Sequence, residues 1–335
     1  MVRRNNRNMT LGIIGDIVED IVVHAEAPFA AGSDTASRIV RRRGGSAANV
    51  AAAAAGSAPT RFIGCVGDDL AGRHLAASLP VVDVRLQTTD KAPTGTIVVL
   101  LDAEGERHMF PDRGANAWLG PIDPSWLDDV TVWHVTAYSL ARPVTSGEIG
   151  GTTADAVTAA LKDVGIEGRP ARCDDVVTSI DVSSVSVIEH VGVENFQRLI
   201  DDLDPAIVFA NAAEAQTLGW ASAEPARRLV FIKHGAAPTL VRGPRGAWYV
   251  PTQRIDTSDT TGAGDAFAAG VLAHIANNRL TRDVLLQADE VLATALANSG
   301  HLAATTWLHH EWLAMGTVHP GHGDGSFGSS LLDNR

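Results

Sequence analysis

The sequence predicts an α/β protein built on a mostly parallel central sheet, with a small separate β-sheet beside it. Three observations carry this. Short β-like runs alternate with helix-like segments along most of the 335 residues. Several of those runs are continuously apolar, as in strands covered on both faces by helical crossovers. Two early stretches break the rhythm and read as strands outside that sheet.

The main-sheet strands are read in chain order at TLGIIG (Thr10–Gly15), RFIGCV (Arg61–Val66), VTVWHV (Val130–Val135), VVTSIDV (Val176–Val182), AIVFA (Ala206–Ala210) and LVFIK (Leu229–Lys233). Between the first two, ASRIVRR (Ala36–Arg42) alternates with period two. TGTIVVLLDAEGERHMF (Thr94–Phe110) reads as two strands around Asp102-Ala103-Glu104-Gly105, a hairpin signal. These stretches form a small sheet, read as a lid. Its segment TIVVLL (Thr96–Leu101) is apolar on both faces and needs cover, which predicts a homodimer through the lids. With no internal repeat and no long linker, one domain is expected over residues 9–315, with lid strands from about 17–42 and 84–112. Residues 1–8 and the glycine-rich, polar residues 316–335 are read as tails, and Met9 is a second candidate start.

Composition narrows the function. The formal charge of −12 argues against a nucleic-acid or anionic-membrane surface. Phosphate binding stays open, because backbone amides hold anions without net positive charge. The two cysteines, Cys65 and Cys173, form no CxxC pair, so neither a disulfide framework nor a structural zinc is expected, and a reducing cytoplasm fits. MVRRNNRNMT is basic and polar, and the apolar run behind it stops at Asp16, too soon for a signal peptide. The alanine run Ala51–Ala55 is far too short to span a bilayer. His309, His310, His319 and His322 have no acid or cysteine to complete a metal site and are read as solvent-exposed.

The chemistry concentrates in DTTGAGDAFAAG (Asp259–Gly270). Glycine weakens a helix by about 1 kcal/mol relative to alanine, yet Gly262 and Gly264 stand directly before an apolar helical pattern. Ala263, Phe267, Val271 and Ile275 recur every fourth residue, which predicts a helix with one buried face. The glycines then fall at its N-terminus, where the amides of Gly262, Ala263 and Gly264 lack helical partners and can approach an anion. Asp265 projects beside that anion. A carboxylate there suits a base that takes the proton of a hydroxyl attacking phosphorus; the plainer reading is a helix cap. No GxxxxGK[ST] or GxGxxG spacing is present, so neither a P-loop nor a dinucleotide fingerprint is supported.

DTTGAGDAFAAG resembles the C-terminal signature of the ribokinase-like (PfkB) carbohydrate kinases. RRRGGSAANVAAAAAGSAPTRFIGCVGDDLAG (Arg41–Gly72) resembles the N-terminal signature of the same family. DRGANAWL (Asp112–Leu119), NAAE (Asn211–Glu214) and VFIKHGAAPTLV (Val230–Val241) match landmarks between them, and the likeness runs from about Thr10 to Leu308. It implies a ribokinase-like three-layer α/β/α fold with a β-sheet lid, transferring the γ-phosphate of ATP to a hydroxymethyl group.

By this resemblance Asp265 is the base, with Gly262, Ala263 and Gly264 as anion hole. Asp20, in GDIVED, receives sugar hydroxyls, with Asp16 the competing carboxylate. Gly44 and Gly45 let the ligand approach the backbone, and Asn49 offers a donor and an acceptor. Asn211 and Glu214 support Mg²⁺ through water, a role that one carboxylate and an amide suit. Lys233 and Gly235 lie near the nucleotide, and Asn298 near the adenine. Asp259 and Thr261 match a monovalent-cation (K⁺) site of some members. Val18 stands where ribokinase proper carries asparagine, which argues against ribose. Ser46 stands where phosphosugar kinases often place lysine, which argues for an unphosphorylated substrate. Arg41-Arg42-Arg43 reads as a solvated strand that could compensate. The alternatives are a nucleoside kinase of the same fold, less favoured because aromatics make up only 5% of the chain, and a sugar sensor that has lost turnover.

Overall fold

The structure, a computed structural model, describes residues 10–28, 32–101, 107–141, 144–145, 148–149, 151–164, 176–252 and 260–316. Its strands are β1 (Thr10–Ile14), β2 (Val18–Ala25), β3 (Ser37–Gly44), β4 (Thr60–Gly67), β5 (Asp83–Thr89), β6 (Thr96–Leu101), β7 (Arg107–Asp112), β8 (Val130–Thr136), β9 (Val144–Thr145), β10 (Glu148–Ile149), β11 (Val177–Asp181), β12 (Ile207–Asn211), β13 (Leu229–His234), β14 (Ala237–Gly243) and β15 (Gly246–Val250). Its helices are α1 (Ser46–Ala55), α2 (Leu70–Ala77), α3 (Thr153–Val164), α4 (Val185–Val191), α5 (Val193–Leu203), α6 (Ala212–Thr217), α7 (Ala263–Asn278), α8 (Arg282–Leu286) and α9 (Glu290–Gly316).

The main sheet runs β15-β14-β13-β12-β11-β8-β1-β4-β5. Every neighbouring pair from β13 to β5 is parallel. β14 and β15 add an antiparallel hairpin at the β13 edge. Successive residues of a strand point to opposite faces, so the continuously apolar strands serve two cores at once. On β1, Leu11 and Ile13 enter a core covered by α1, α2, α7, α8 and α9. Ile14, between the same neighbours, enters the core under α3 to α6. Phe209 and Phe231 stack at 5.4 Å between centroids, and Phe267 of α7 meets Phe231 edge-on at 6.0 Å. Truncating one of these rings to alanine is worth about 3–5 kcal/mol.

The smaller sheet has the order β3-β2-β6-β7, with β2 and β6 parallel and the outer pairs antiparallel. One expectation changes here. Residues 84–89, counted with the lid, lie in β5 and pair with β4 at the edge of the main sheet. TIVVLL forms β6, paired on both sides by β2 and β7, with Val99 buried and the rest half-buried. The strongly exposed apolar side chains of this sheet are Ile39 on β3 and Met109 and Phe110 on β7.

α7 also differs from the helix expected. Alanines leave little contrast between its faces, and it is buried nearly all round, from Ala266 to Ala269 and again at Val271, Leu272, Ala273, Ile275 and Ala276. Among the described residues, no helix is long and apolar enough to cross a membrane.

Candidate active site

The candidate groups gather beyond the carboxyl ends of the parallel strands. Asp16 follows β1, Asp181 ends β11, Asn211 ends β12 and Lys233 lies near the end of β13. Open parallel sheets bind ligands in the crevice at this end.

α7 begins at Gly262, whose φ of 75° is left-handed and whose N-cap position carries no side-chain hydrogen bond. A Cβ at Gly262 would stand 2.7 Å from the Trp307 indole nitrogen, which itself donates to the Thr261 carbonyl at 3.1 Å. Asp265, in the first turn, reaches away from its own helix. Its Oδ1 accepts from Ser46 Oγ at 2.6 Å, and its Oδ2 accepts from Asn49 Nδ2 at 2.9 Å. Ser46 and Asn49 are three apart on α1 and share a face. The carboxylate therefore bonds α1, and the capping reading fails. Burial pushes its pKa up to about 7; the Ser46 and Asn49 bonds oppose this, the charge of Asp181 adds to it and Lys233 offsets it. Of the three cradle amides, Ala263 N–H is already used, donating to the Thr260 carbonyl at 3.2 Å.

α1 begins beside it. Gly45 has φ 96°, and a Cβ there would stand 2.5 Å from the Asp16 carbonyl oxygen. Asp16 accepts from Ser46 N at 3.1 Å, Ala47 N at 3.2 Å and Thr136 Oγ1 at 3.2 Å. Its charge thus serves the positive end of α1, and Arg113 lies 3.7 Å away. Asp20 is buried against Gly44, where any side chain would collide with its carboxylate.

Beyond Gly264, Lys233 Nζ donates to Asp181 Oδ2 at 2.9 Å and stands 3.2 Å from where a Cβ of Gly264 would be. Burial works against the lysine's charge, but Asp181, Glu214 and Asp265 together outweigh it and hold the ammonium above its usual range. Asn211 and Glu214 close a reciprocal capping box on α6: Asn211 N and Nδ2 donate to the two Glu214 oxygens at 2.7 and 2.6 Å, and Glu214 N donates to Asn211 Oδ1 at 2.9 Å. Burial, then the charge of Asp181, pushes Glu214 up to about 7.

Two cavities are lined by residues adjacent to Asp265 or linked to it. One, of about 230 Å³, is lined by Lys233, Gly235, Thr239, Ala263, Gly264 and His301, among others. The second, of about 260 Å³, is lined by Asp16, Arg113, Asn116, Tyr138 and His190, among others. Asp265 follows Gly264 of the first in the chain and is joined through Ser46 to Asp16 of the second.

Residues 9–306 match the model of the pfkB family of carbohydrate kinases. The chain belongs to that family. It is a carbohydrate kinase that uses ATP to phosphorylate sugar-like substrates. An ATP-dependent ribose-1-phosphate kinase of Halopiger xanaduensis is 29% identical over 77% of this chain and 82% of its own. A fructokinase of Salmonella typhimurium is 28% identical over 89% and 94%. A solved fructokinase with bound ATP from Xylella fastidiosa shares the fold, with a TM-score of 0.70 at 19% identity over 89% and 91% of the two chains.

Set against that family, most expected residues are brought together, and some are not. Asn298 is exposed, and the α9 residues lining the first cavity are His301, Ala304, Thr305 and Leu308. Asp259 lies outside the described residues. Ser46, Asp181 and Arg43, which donates to Asn49 at 2.8 Å, join the site although the sequence does not mark them for these roles. Asp181 has a readable signal, as an acid at the end of a strand recognised in the sequence. Ser46 sits one helical turn before Asn49.

Proposed function

We propose that this kinase phosphorylates the hydroxymethyl group of an unphosphorylated sugar or sugar-like alcohol, with Asp265 as general base. The observation that carries this is the turning of both Asp265 oxygens from its own helix toward α1, where Ser46 also binds Asp16. The acceptor alcohol lies on the Asp16 side, and Asp20 takes its hydroxyls, whereas both polar atoms of the Asn49 amide are held by Arg43 and Asp265. The nucleotide lies on the Lys233 side. Asp265 takes the hydroxyl proton as the acceptor oxygen bonds to the γ-phosphorus and the bond from that phosphorus to ADP breaks. The amides of Gly262 and Gly264, at the positive end of α7, face the transferring group.

Asn211 and Glu214 would hold Mg²⁺ through water. Among the described residues no cluster of three or more His, Cys, Asp or Glu forms a direct cage, and Mg²⁺ bound with nucleotide phosphates keeps most of its water shell. Glu214, buried and raised toward neutrality beside Asp181, is a site that a cation would relieve. Bound there, Mg²⁺ would neutralise phosphate charge. K⁺ near Thr261 completes the proposed ions. We place the enzyme in the cytoplasm, which its two cysteines suit, and as a homodimer through its smaller sheets, on the strength of exposed Ile39, Met109 and Phe110 (61, 54 and 57%).

A sugar is favoured over a nucleoside because the one tyrosine of the acceptor cavity, Tyr138, has its ring face covered by the Arg113 guanidinium, 3.7 Å from the centroid. A base would have to displace that cation to stack. The test is ADP release over a panel of sugars, sugar acids and nucleosides, beginning with fructose. Turnover of nucleosides alone contradicts the proposal.

A further inference from the structure

β3 ends in three arginines, and each takes a different partner. Arg41 pairs with Glu19 at 3.3 Å, and Arg42 lies 3.9 Å from Asp20. Arg43 reaches out of the smaller sheet, and its Nη1 donates to Asn49 Oδ1 on α1 at 2.8 Å. The Nδ2 of the same amide donates to Asp265 Oδ2 at 2.9 Å. The three groups form one line from the smaller sheet to the carboxylate.

That line runs in one sense only. A guanidinium has donors, no acceptor, and stays charged. The Asn49 atom facing it must be the oxygen, so the nitrogen must face Asp265. A flipped amide would set its oxygen against Asp265 Oδ2 unless the carboxyl carried a proton, and a protonated Asp265 can take none from a substrate. Ser46 touches the other carboxylate oxygen, but a hydroxyl rotates and can donate or accept. It does not fix the state of the acid.

We propose that Arg43 is a positioning residue for Asp265: it holds Asn49 with its nitrogen toward the carboxylate and so keeps that carboxylate in its proton-accepting form. The inference rests on Asp265 being the base. Asp181 and Lys233, at the ends of β11 and β13, also act on Asp265 through their charges. Glu19 faces Arg43 across the β2–β3 ladder. These groups act on charge, whereas Arg43 sets which way an amide points.

The experiment measures kcat against pH for the parent, Arg43→Gln, Arg43→Lys, Asn49→Ser, the Arg43→Gln/Asn49→Ser double variant and Asp265→Asn. Glutamine can donate or accept, so it releases the amide, whereas lysine can only donate. In Arg43→Gln the acid limb of kcat moves up by about one pH unit, about a tenfold loss on that limb, regained at high pH. Arg43→Lys keeps the parent profile. In the Asn49→Ser background, Arg43→Gln shifts nothing further, because no amide remains to orient. An unshifted Arg43→Gln profile, or the same shift with and without Asn49, overturns the inference. If Asp265→Asn still turns over, the base assignment fails and takes this inference with it. An inactive Asp265→Asn beside an unshifted Arg43→Gln sinks this inference alone.

Discussion

Lys233 reaches across β12 to Asp181, joining the ends of β13 and β11 through a 2.9 Å hydrogen bond. Both side chains are largely buried, at 17 and 8% exposure. The ammonium also offsets the charges of Glu214 and Asp265. One lysine thus balances three carboxyls on the β11–β13 side of the site.

Removing that lysine leaves acids uncompensated. Breaking a buried pair from one side costs about 3–5 kcal/mol, whereas replacing both partners by apolar groups is often near neutral. Lys233→Met should lower Tm well below that of Lys233→Met/Asp181→Leu. Equal or additive losses in thermal melts of the two variants contradict this.

Asp265 and Glu214 tie stability to pH. Both are raised to about 7 in the folded protein, while in an unfolded chain such groups release their protons near pH 4. Between about pH 4 and 7 the folded state binds more protons, so stability falls as pH rises. The contribution is complete below about pH 4 and gone above about pH 7. Without nucleotide, the parent Tm should fall more steeply from about pH 5 to 8 than that of Asp265→Asn/Glu214→Gln. Parallel curves contradict the assignment of these shifts.

Sugar affinity should rest on Asp20. Losing a charged hydrogen-bond partner costs about 1.5–3 kcal/mol, so Asp20→Ala should raise the sugar KM at least about tenfold and leave the ATP KM near its parent value. Gly44→Ala pushes a methyl into the same carboxylate and should act in the same direction. An unchanged sugar KM in Asp20→Ala moves the hydroxyl-binding role elsewhere.

Sequence pattern reveals those parts of this protein that depend on local periodicity. Strands buried on both faces, such as β1 and β12, announce themselves as apolar runs. β5 does not: at the sheet edge DVRLQTT mixes polar and apolar residues, and its neighbours in the chain suggested the lid. The glycines and acid of α7 showed where the helix starts, but not that Asp265 turns to Ser46 and Asn49, more than 200 residues away. Lys233 and Asp181, 52 residues apart, meet only once β12 lies between them. The resemblance puts Asn298 near the adenine, yet the way α9 docks turns His301 and Thr305 to the cavity instead.

The dimer is tested through Phe110, which is 57% exposed on the outer strand β7. A glutamate on a buried apolar contact is strongly unfavourable. Phe110→Glu should sediment as a monomer at micromolar concentration while the parent sediments as a dimer. A monomeric parent rules the dimer out.

The most direct test of the account is kcat for Asp265→Asn, measured beside nucleotide binding and thermal stability. Asparagine keeps the shape and removes proton acceptance, and general-base loss is worth about 10² to 10⁴ in rate. The account predicts that loss with folding and ATP binding intact, ATP binding holding or tightening because one negative charge near the phosphates is gone. A kcat within about threefold of the parent, the result expected of a helix cap that accepts asparagine as readily as aspartate, would contradict it.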